Sequence, residues 1–160
     1  MGGGSGEGVN DMTVRVQTED FDAGAEIKRL QAARKDIGAV VSFIGLVRDI
    51  NDGDTVSQLT LEHYPGMTEK SLTVIADQAK ARWNITDVLI IHRVGTLQPC
   101  DQIVMVAVAG GHRGAAFAAC EFVMDYLKTE APFWKKELTQ DGERWVEAKD
   151  SDDDAKERWN

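Results

Sequence analysis

The chain has 160 residues, enough for one ordinary domain with a full hydrophobic core and too few for two large ones. Hydrophobic residues make up 42% and charged residues 28%, which argues against a wholly disordered chain and a coiled-coil rod. With 27 Asp and Glu against 18 Lys and Arg, the net charge of −9 repels nucleic acid and anionic membranes, so neither is an expected partner. Two cysteines, Cys100 and Cys120, without a CxxC pair suggest neither a disulfide framework nor a structural zinc site, and a reducing cytoplasm is the simpler assignment. No apolar run approaches a membrane span, and Met1 to Met12 lacks the apolar stretch of a signal peptide.

Residues 1–12, MGGGSGEGVNDM, read as a flexible Gly-rich linker or scar. Residues 13–149 form the one folded domain, and 150–160, opening on DSDDD, an acidic tail. Within the domain, Thr13 to Gln17 is a short strand, and Asp22 to Arg34 an amphipathic helix with Ile27 and Leu30 inward. Gly38 to Arg48 is apolar on both faces, the pattern of a central strand. Asn51 to Asp54 is a turn, and Val56 to Tyr64 returns as a strand, so the two strands are expected to pair as a hairpin. After Pro65-Gly66, a helix over 68–83 has Thr68 as N-cap and an apolar stripe of Leu72, Ile75, Ala76, Ala79 and Trp83. Strands over Thr86 to Gly95 and Gln102 to Ala109 flank a Pro99 turn. A helix over Gly114 to Thr129 runs through Phe117, Cys120, Met124 and Leu127, and short extended pieces including Glu143 to Ala148 finish the chain. Strands that come both as hairpins and beside helices favour an α+β fold with a mixed sheet over a doubly wound parallel one.

Two cationic regions stand out. Ala109-Gly110-Gly111-His112-Arg113-Gly114 joins a strand to a helix, where small residues and free N–H groups can hold an anion and His112 and Arg113 add donors. The plainer reading is a helix entry with an exposed His-Arg pair. Lys128 ends the same helix, and Lys135 follows beyond Ala131-Pro132, where the proline stops the helix and lets the chain fold back. Two amines brought together increase each other's neutral, nucleophilic fraction. Against this stands the reading of Lys128 as a dipole-complementing helix-end residue and of Lys135 and Lys136 as solvated. Arg48, at a strand end, either faces solvent or points into a site at the sheet edge. His63, His92 and His112 have no metal-ligand spacing, and their strands make His63 and His92 core or half-buried residues. No GxSxG, P-loop or Rossmann glycine pattern occurs, which removes the best signals for a serine hydrolase, a P-loop NTPase and a classical dinucleotide enzyme.

Several segments together resemble the large, catalytic subunit of molybdopterin synthase: GAVVSFIGLVR (38–48), LTLEHYPGMTEKSL (59–72), IHRVG (91–95), GGHRGAAF (110–117), MDYLKTEAPFWKKE (124–137) and ERWVEA (143–148). The likeness runs in order from Gly38 to Trp159. It implies an α/β hammerhead with an added antiparallel β subdomain. It also implies a cytoplasmic sulfurtransferase that converts cyclic pyranopterin monophosphate, precursor Z, to the molybdopterin dithiolene. The implied partner is a small ubiquitin-like subunit whose C-terminal Gly-Gly thiocarboxylate carries the sulfur, and the implied assembly is a central homodimer within a heterotetramer. The resemblance places the catalytic lysines on Lys128 and Lys135 and substrate contacts on Arg48, His112, Arg113, Lys136, Glu137 and Arg144, with no metal or redox cofactor. The family can have a lysine where this chain has Leu46, so that side chain is not expected to bind substrate. The alternative from another class is a non-catalytic homodimeric module that captures a partner's C-terminal tail or a phosphorylated metabolite through the same cations.

Overall fold

In the computed structural model, residues 13–146 and 155–159 are described; the Gly-rich front and the DSDDD run lie outside them. The elements in chain order are β1 (Val14–Gln17), α1 (Ala23–Ala32), β2 (Ala39–Leu46), β3 (Ile50–Asn51), β4 (Asp54–His63), α2 (Met67–Arg82), β5 (Ile85–Arg93), β6 (Gly95–Leu97), β7 (Gln102–Gly110), α3 (Arg113–Glu130), β8 (Phe133–Thr139) and β9 (Gly142–Val146). They build two sheets. The first has the order β1-β5-β7-β2 and is mixed, with β1 parallel to β5 and the other pairs antiparallel. The second is antiparallel, with the order β3-β4-β8-β9 and β6 on β4 beside β3. The expected α+β class with a mixed sheet and an additional antiparallel sheet is the observed one.

Period-2 alternation in β5 and β7 decides the layers. Val88 and Ile90, with Val106 and Val108, face α2 and α3, packing on Leu72, Ile75, Ala79, Ala116, Ala119, Phe122 and Val123. Leu89, Ile91, Met105, Ala107 and Ala109 face the other way, against Phe21 and Leu30 of the α1 layer. A third apolar cluster, Val47, Leu59, Leu61, Val94 and Leu97, joins the two sheets.

Four expectations need correction. Gly38 to Arg48 does not form a hairpin with Val56 to Tyr64: β2 pairs with β7, while β4 pairs with β8, β6 and the two-residue β3. The Asn51 to Asp54 turn is real, with Asp52 and Gly53 both at positive φ, but it closes the β3–β4 ladder. Nor is β2 central. It is one of the two edge strands of its sheet, and its two-sided apolarity leaves Phe43, Ile44 and Leu46 exposed. On α2 the N-cap is Gly66, whose N–H donates to the Glu69 carboxylate at 2.8 Å. Thr68 is instead buried, accepting from Tyr64 N–H and donating to the Pro132 carbonyl. On α3 the inward stripe is Ala116, Ala119, Cys120, Val123 and Leu127, which rotates Phe117 out to 62% exposure. At the far end of the chain, Trp159 packs edge-on against Trp83 and Phe122.

Candidate active site

A cavity of about 320 Å³ opens where the two sheets meet at the C-terminal end of α3. Its lining combines Arg48, Lys128, Lys135 and Glu137 with apolar groups that include Val56, Leu59, Ile103 and Phe133. Arg48, Lys128 and the β8 pair Lys135 and Glu137 are delivered by three separate local devices.

Arg48 follows a register shift between Gly45 and Leu46, after which Val47 is buried and pinned. Val47 N–H donates to the Asp101 carbonyl, and its own carbonyl accepts from Cys100 N–H, both at 2.9 Å. The next residue therefore turns outward, and Arg48 reaches the cavity wall while Leu46 stands at its rim. Lys128 occupies the last turn of α3, where the helix dipole favours a cation. Ala131 is extended, as a residue before proline must be, and Pro132 ends the helix. The chain then runs back as β8 beside β4. Alternation along β8 puts Phe133, Lys135 and Glu137 on the cavity face. Lys136 falls on the opposite face, its ammonium 5.1 Å from the Trp145 ring centroid. The expectation that Lys136 contacts substrate through its side chain therefore finds no support in the geometry.

Glu137 is buried, and both of its oxygens are occupied. Oε1 accepts from Arg144 at 3.1 Å, and Oε2 accepts from Asn51 Nδ2 at 2.9 Å. Arg144 also donates to Asp54 Oδ2 at 2.5 Å and to the Asn51 carbonyl at 3.0 Å. Hydrogen bonds to Asp54 and then Glu137 raise the Arg144 pKa above its ordinary value. Its donors are spent inside the wall, so it does not present the open fork that binds an external anion.

Behind the cavity lies His92, which the strand pattern makes a core or half-buried residue and the structure makes a core one. Its ring stacks on Phe133 with centroids 3.7 Å apart and planes at 17°, and Nδ1 donates to the Arg93 carbonyl at 2.8 Å in the neutral tautomer that this contact selects. Burial pushes its pKa down to about 3, with smaller contributions from the charges of Lys135, Lys128 and His63. Cys120 is a core thiol whose pKa burial raises to about 11, which suits a small hydrophobe and not a nucleophile.

His112 and Arg113 sit elsewhere. His112 caps α3 without a side-chain hydrogen bond and Arg113 opens the helix, so fifteen residues of rise, roughly 22 Å, separate them from Lys128. Both are exposed. The adjoining glycines have a packing reason of their own: Gly38 N–H donates to the Gly110 carbonyl at 2.9 Å, and a Cβ on Gly38 would lie 2.3 Å from the Gly111 oxygen. A single chain thus gathers Arg48, Lys128, Lys135 and Glu137, and leaves the His-Arg pair at the other end of the helix.

A family model described as MoaE protein matches residues 16–130. The chain belongs to the MoaE family. The molybdopterin synthase catalytic subunit of Ralstonia nicotianae is 67% identical over 147 residues, covering 92% of this chain and 84% of that one. The solved molybdopterin biosynthesis MoaE protein from Burkholderia ambifaria has a TM-score of 0.80 at 60% identity, covering 93% of this chain and 98% of that one. A chain in the complex of subunits 1 and 2 of the molybdopterin-converting factor from Helicobacter pylori shares the fold, with a TM-score of 0.69 at 21% identity over 86% of this chain and 91% of that one. The family members named here are proteins of molybdopterin biosynthesis.

Proposed function

We propose that this chain is the large subunit of a molybdopterin synthase that transfers sulfur from the thiocarboxylate of a small ubiquitin-like subunit to precursor Z. The observation that carries the reading is the convergence of Lys128, Lys135 and Arg48 on one cavity in a MoaE-family chain. Lys128 and Lys135 reach it from two different elements, at the end of α3 and on β8. A thiocarboxylate is an anion with an electrophilic carbonyl, and two ammonium groups can orient it and exchange protons with it as sulfur leaves. Val56, Leu59, Ile103 and Phe133 offer the acyl group an apolar surface to lie against. The H. pylori complex, which contains a chain of this fold, supports a small-subunit partner.

The distance of His112 and Arg113 from the cavity is met by the homodimer that the resemblance implies. The edge strand β2 runs from Ala39, which pairs with Gly110 near His112, to Leu46 near Arg48. Its eight residues span about 26 Å, close to the length of α3. Antiparallel pairing of β2 with its copy about a twofold axis carries one chain's His112–Arg113 end to the other's Arg48 end. The exposed apolar side chains of Phe43, Ile44 and Phe117 suit such a contact. In the proposed assembly, Arg48 together with the second copy's histidine-arginine pair holds the phosphate, and the two lysines act on the sulfur donor.

Anaerobic incubation with precursor Z and a thiocarboxylated small subunit, read by mass spectrometry, tests the reading. Two sulfurs gained on the pterin, and loss of the gain in Lys128→Ala within an assembled complex, are expected. A stable complex of the wild-type chain that transfers no sulfur would favour the binding-module alternative.

A further inference from the structure

The β3–β4 hairpin forms one wall of the cavity: Arg48 enters it, and Ile50 and Asn51 line it. Its own ladder is only two residues long, Ile50 and Asn51 opposite Thr55 and Asp54. A ladder of that length does not hold a wall in place by itself. The opposite wall is β8, which carries Lys135 and Glu137. β4 is laddered to β8 from Val56 to His63, so what the polar bond adds is a tie from the two-residue β3 to β8: Asn51 Nδ2 donates to Glu137 Oε2. Arg144, the cross-strand partner of Glu137 on β9, completes the tie by reaching back to Asp54 Oδ2 and the Asn51 carbonyl. Asp54 Oδ1 takes a further bond from Gln140 in the β8–β9 turn, at 3.0 Å.

Glu137 has a side chain only 8% exposed, and a buried carboxylate is tolerated only when it is charge-paired and hydrogen-bonded. Arg144 comes from the adjacent β9 and Asn51 from β3, so satisfying the second oxygen requires β3 to stand in place against β8. On the reading of this cavity as the active site, we propose that Asn51, Asp54 and Arg144 are positioning residues. Through Glu137 they fix the Arg48 wall against the Lys135 wall and set the separation of the two cations. Glu137 then serves as a fixed anion of the wall, two residues from Lys135 on the same face, and Arg144 serves as its clamp.

The test uses Asp54→Ala and Asn51→Ala in the full chain, assembled with the thiocarboxylated small subunit. Asn51→Ala removes one side-chain bond and leaves the backbone bond to Arg144, so it gives an answer even if Asp54→Ala fails to fold. Two quantities are read: kcat and KM for precursor Z, and the ratio of Lys135 to Lys136 acetylation by limiting acetic anhydride, from peptide mass spectrometry. Lys136, on the outer face, is the internal standard. Expected are a kcat reduced about tenfold in Asp54→Ala and about threefold in Asn51→Ala, with KM little changed. The labelling ratio should shift at least about threefold, and Asp54→Asn, which keeps an acceptor for Arg144, should recover most of both. A labelling ratio and kcat within about twofold of wild type in either folded variant would overturn the proposal, as would a loss of activity that tracks unfolding with an unchanged ratio. If the wild-type chain transfers no sulfur, the functional reading fails while the labelling ratio still decides on the clamp.

Discussion

The two ends of α3 both carry cations, yet they are built on different principles. At the C-terminal end, Lys128 faces a walled cavity whose other charges come from β8 and from the link between β2 and β3, and whose floor is apolar. At the N-terminal end, His112 and Arg113 stand exposed on a glycine-flanked helix entry, outside the lining of that cavity. Exposure does not distinguish them, since Arg48 and Lys128 are exposed as well; convergence does, because Lys128 shares one cavity lining with Arg48, Lys135 and Glu137, and His112 and Arg113 lie outside that lining. The comparison teaches that cations borne by one helix need not share one cavity within one copy of the chain; the proposed dimer is what would bring them together.

Variants at the two ends should therefore fail in different ways. Lys128→Ala is expected to have the largest effect, a fall in kcat for sulfur transfer of about 10³-fold or more with the small-subunit complex still intact by size-exclusion chromatography. Lys135→Ala should lower kcat about 10²-fold. His112→Ala and Arg113→Ala should act on the other parameter, raising the dissociation constant for precursor Z some 10- to 100-fold with a smaller change in kcat, as loss of a charge-assisted hydrogen bond does. Calorimetric titration of each variant separates the two patterns. Wild-type affinity in both His112 and Arg113 variants would remove the N-terminal end from the site.

A pH prediction sharpens the contrast through His92, which lies behind the lysine cavity. Its folded pKa is lowered to about 3 from an ordinary 6.5, mainly by burial. As pH falls below about 6.5 the unfolded chain takes up a proton that the folded chain refuses, so stability is complete above that value and declines toward pH 3. Thermal melts between pH 7 and 4 should show this decline, and His92→Phe, which retains a ring against Phe133, should flatten it. The smallest effect is expected from Lys136→Ala: sulfur transfer within about twofold of wild type, because that side chain lies on the outer face over Trp145.

Local features of the chain were readable wherever the residue type fixes the backbone or the stripe. Helix α2 follows its Leu72, Ile75, Ala76 and Ala79 spacing, the Asn51 to Asp54 turn forms where predicted, and Pro132 stops α3 and sends Lys135 back. Strand partnership was not readable. Gly38 to Arg48 looks central because both faces are apolar, yet only its first half packs, Ala39 and Val41 on one side and Val40 on the other, while Phe43 and Ile44 remain exposed at a sheet edge. Sequence adjacency suggested a hairpin with Val56 to Tyr64, but long-range pairing with β7 and β8 prevails. Within the candidate site, Arg48, Lys128, Lys135 and Glu137 line one cavity. Lys136 and Arg144 do not present their charges to the cavity, for reasons that become visible only once β8 and β9 are recognised as paired strands. A period-2 reading of Phe133 to Thr139 would have separated Lys135 from Lys136. Nothing in the sequence announced the Asn51 and Asp54 contacts, which span 86 and 90 residues.

The central claim, that both ends of α3 serve one active site across two copies, is tested by mixing two disabled chains. Lys128→Ala and Arg113→Ala subunits are unfolded and refolded together, then assayed for sulfur transfer at limiting precursor Z. Random pairing makes half of the dimers hybrid, and each hybrid has one intact site, so recovery to about a quarter of wild-type activity is predicted. Activity no higher than the average of the two separate variants, with hybrid dimers present by native mass spectrometry, would contradict it.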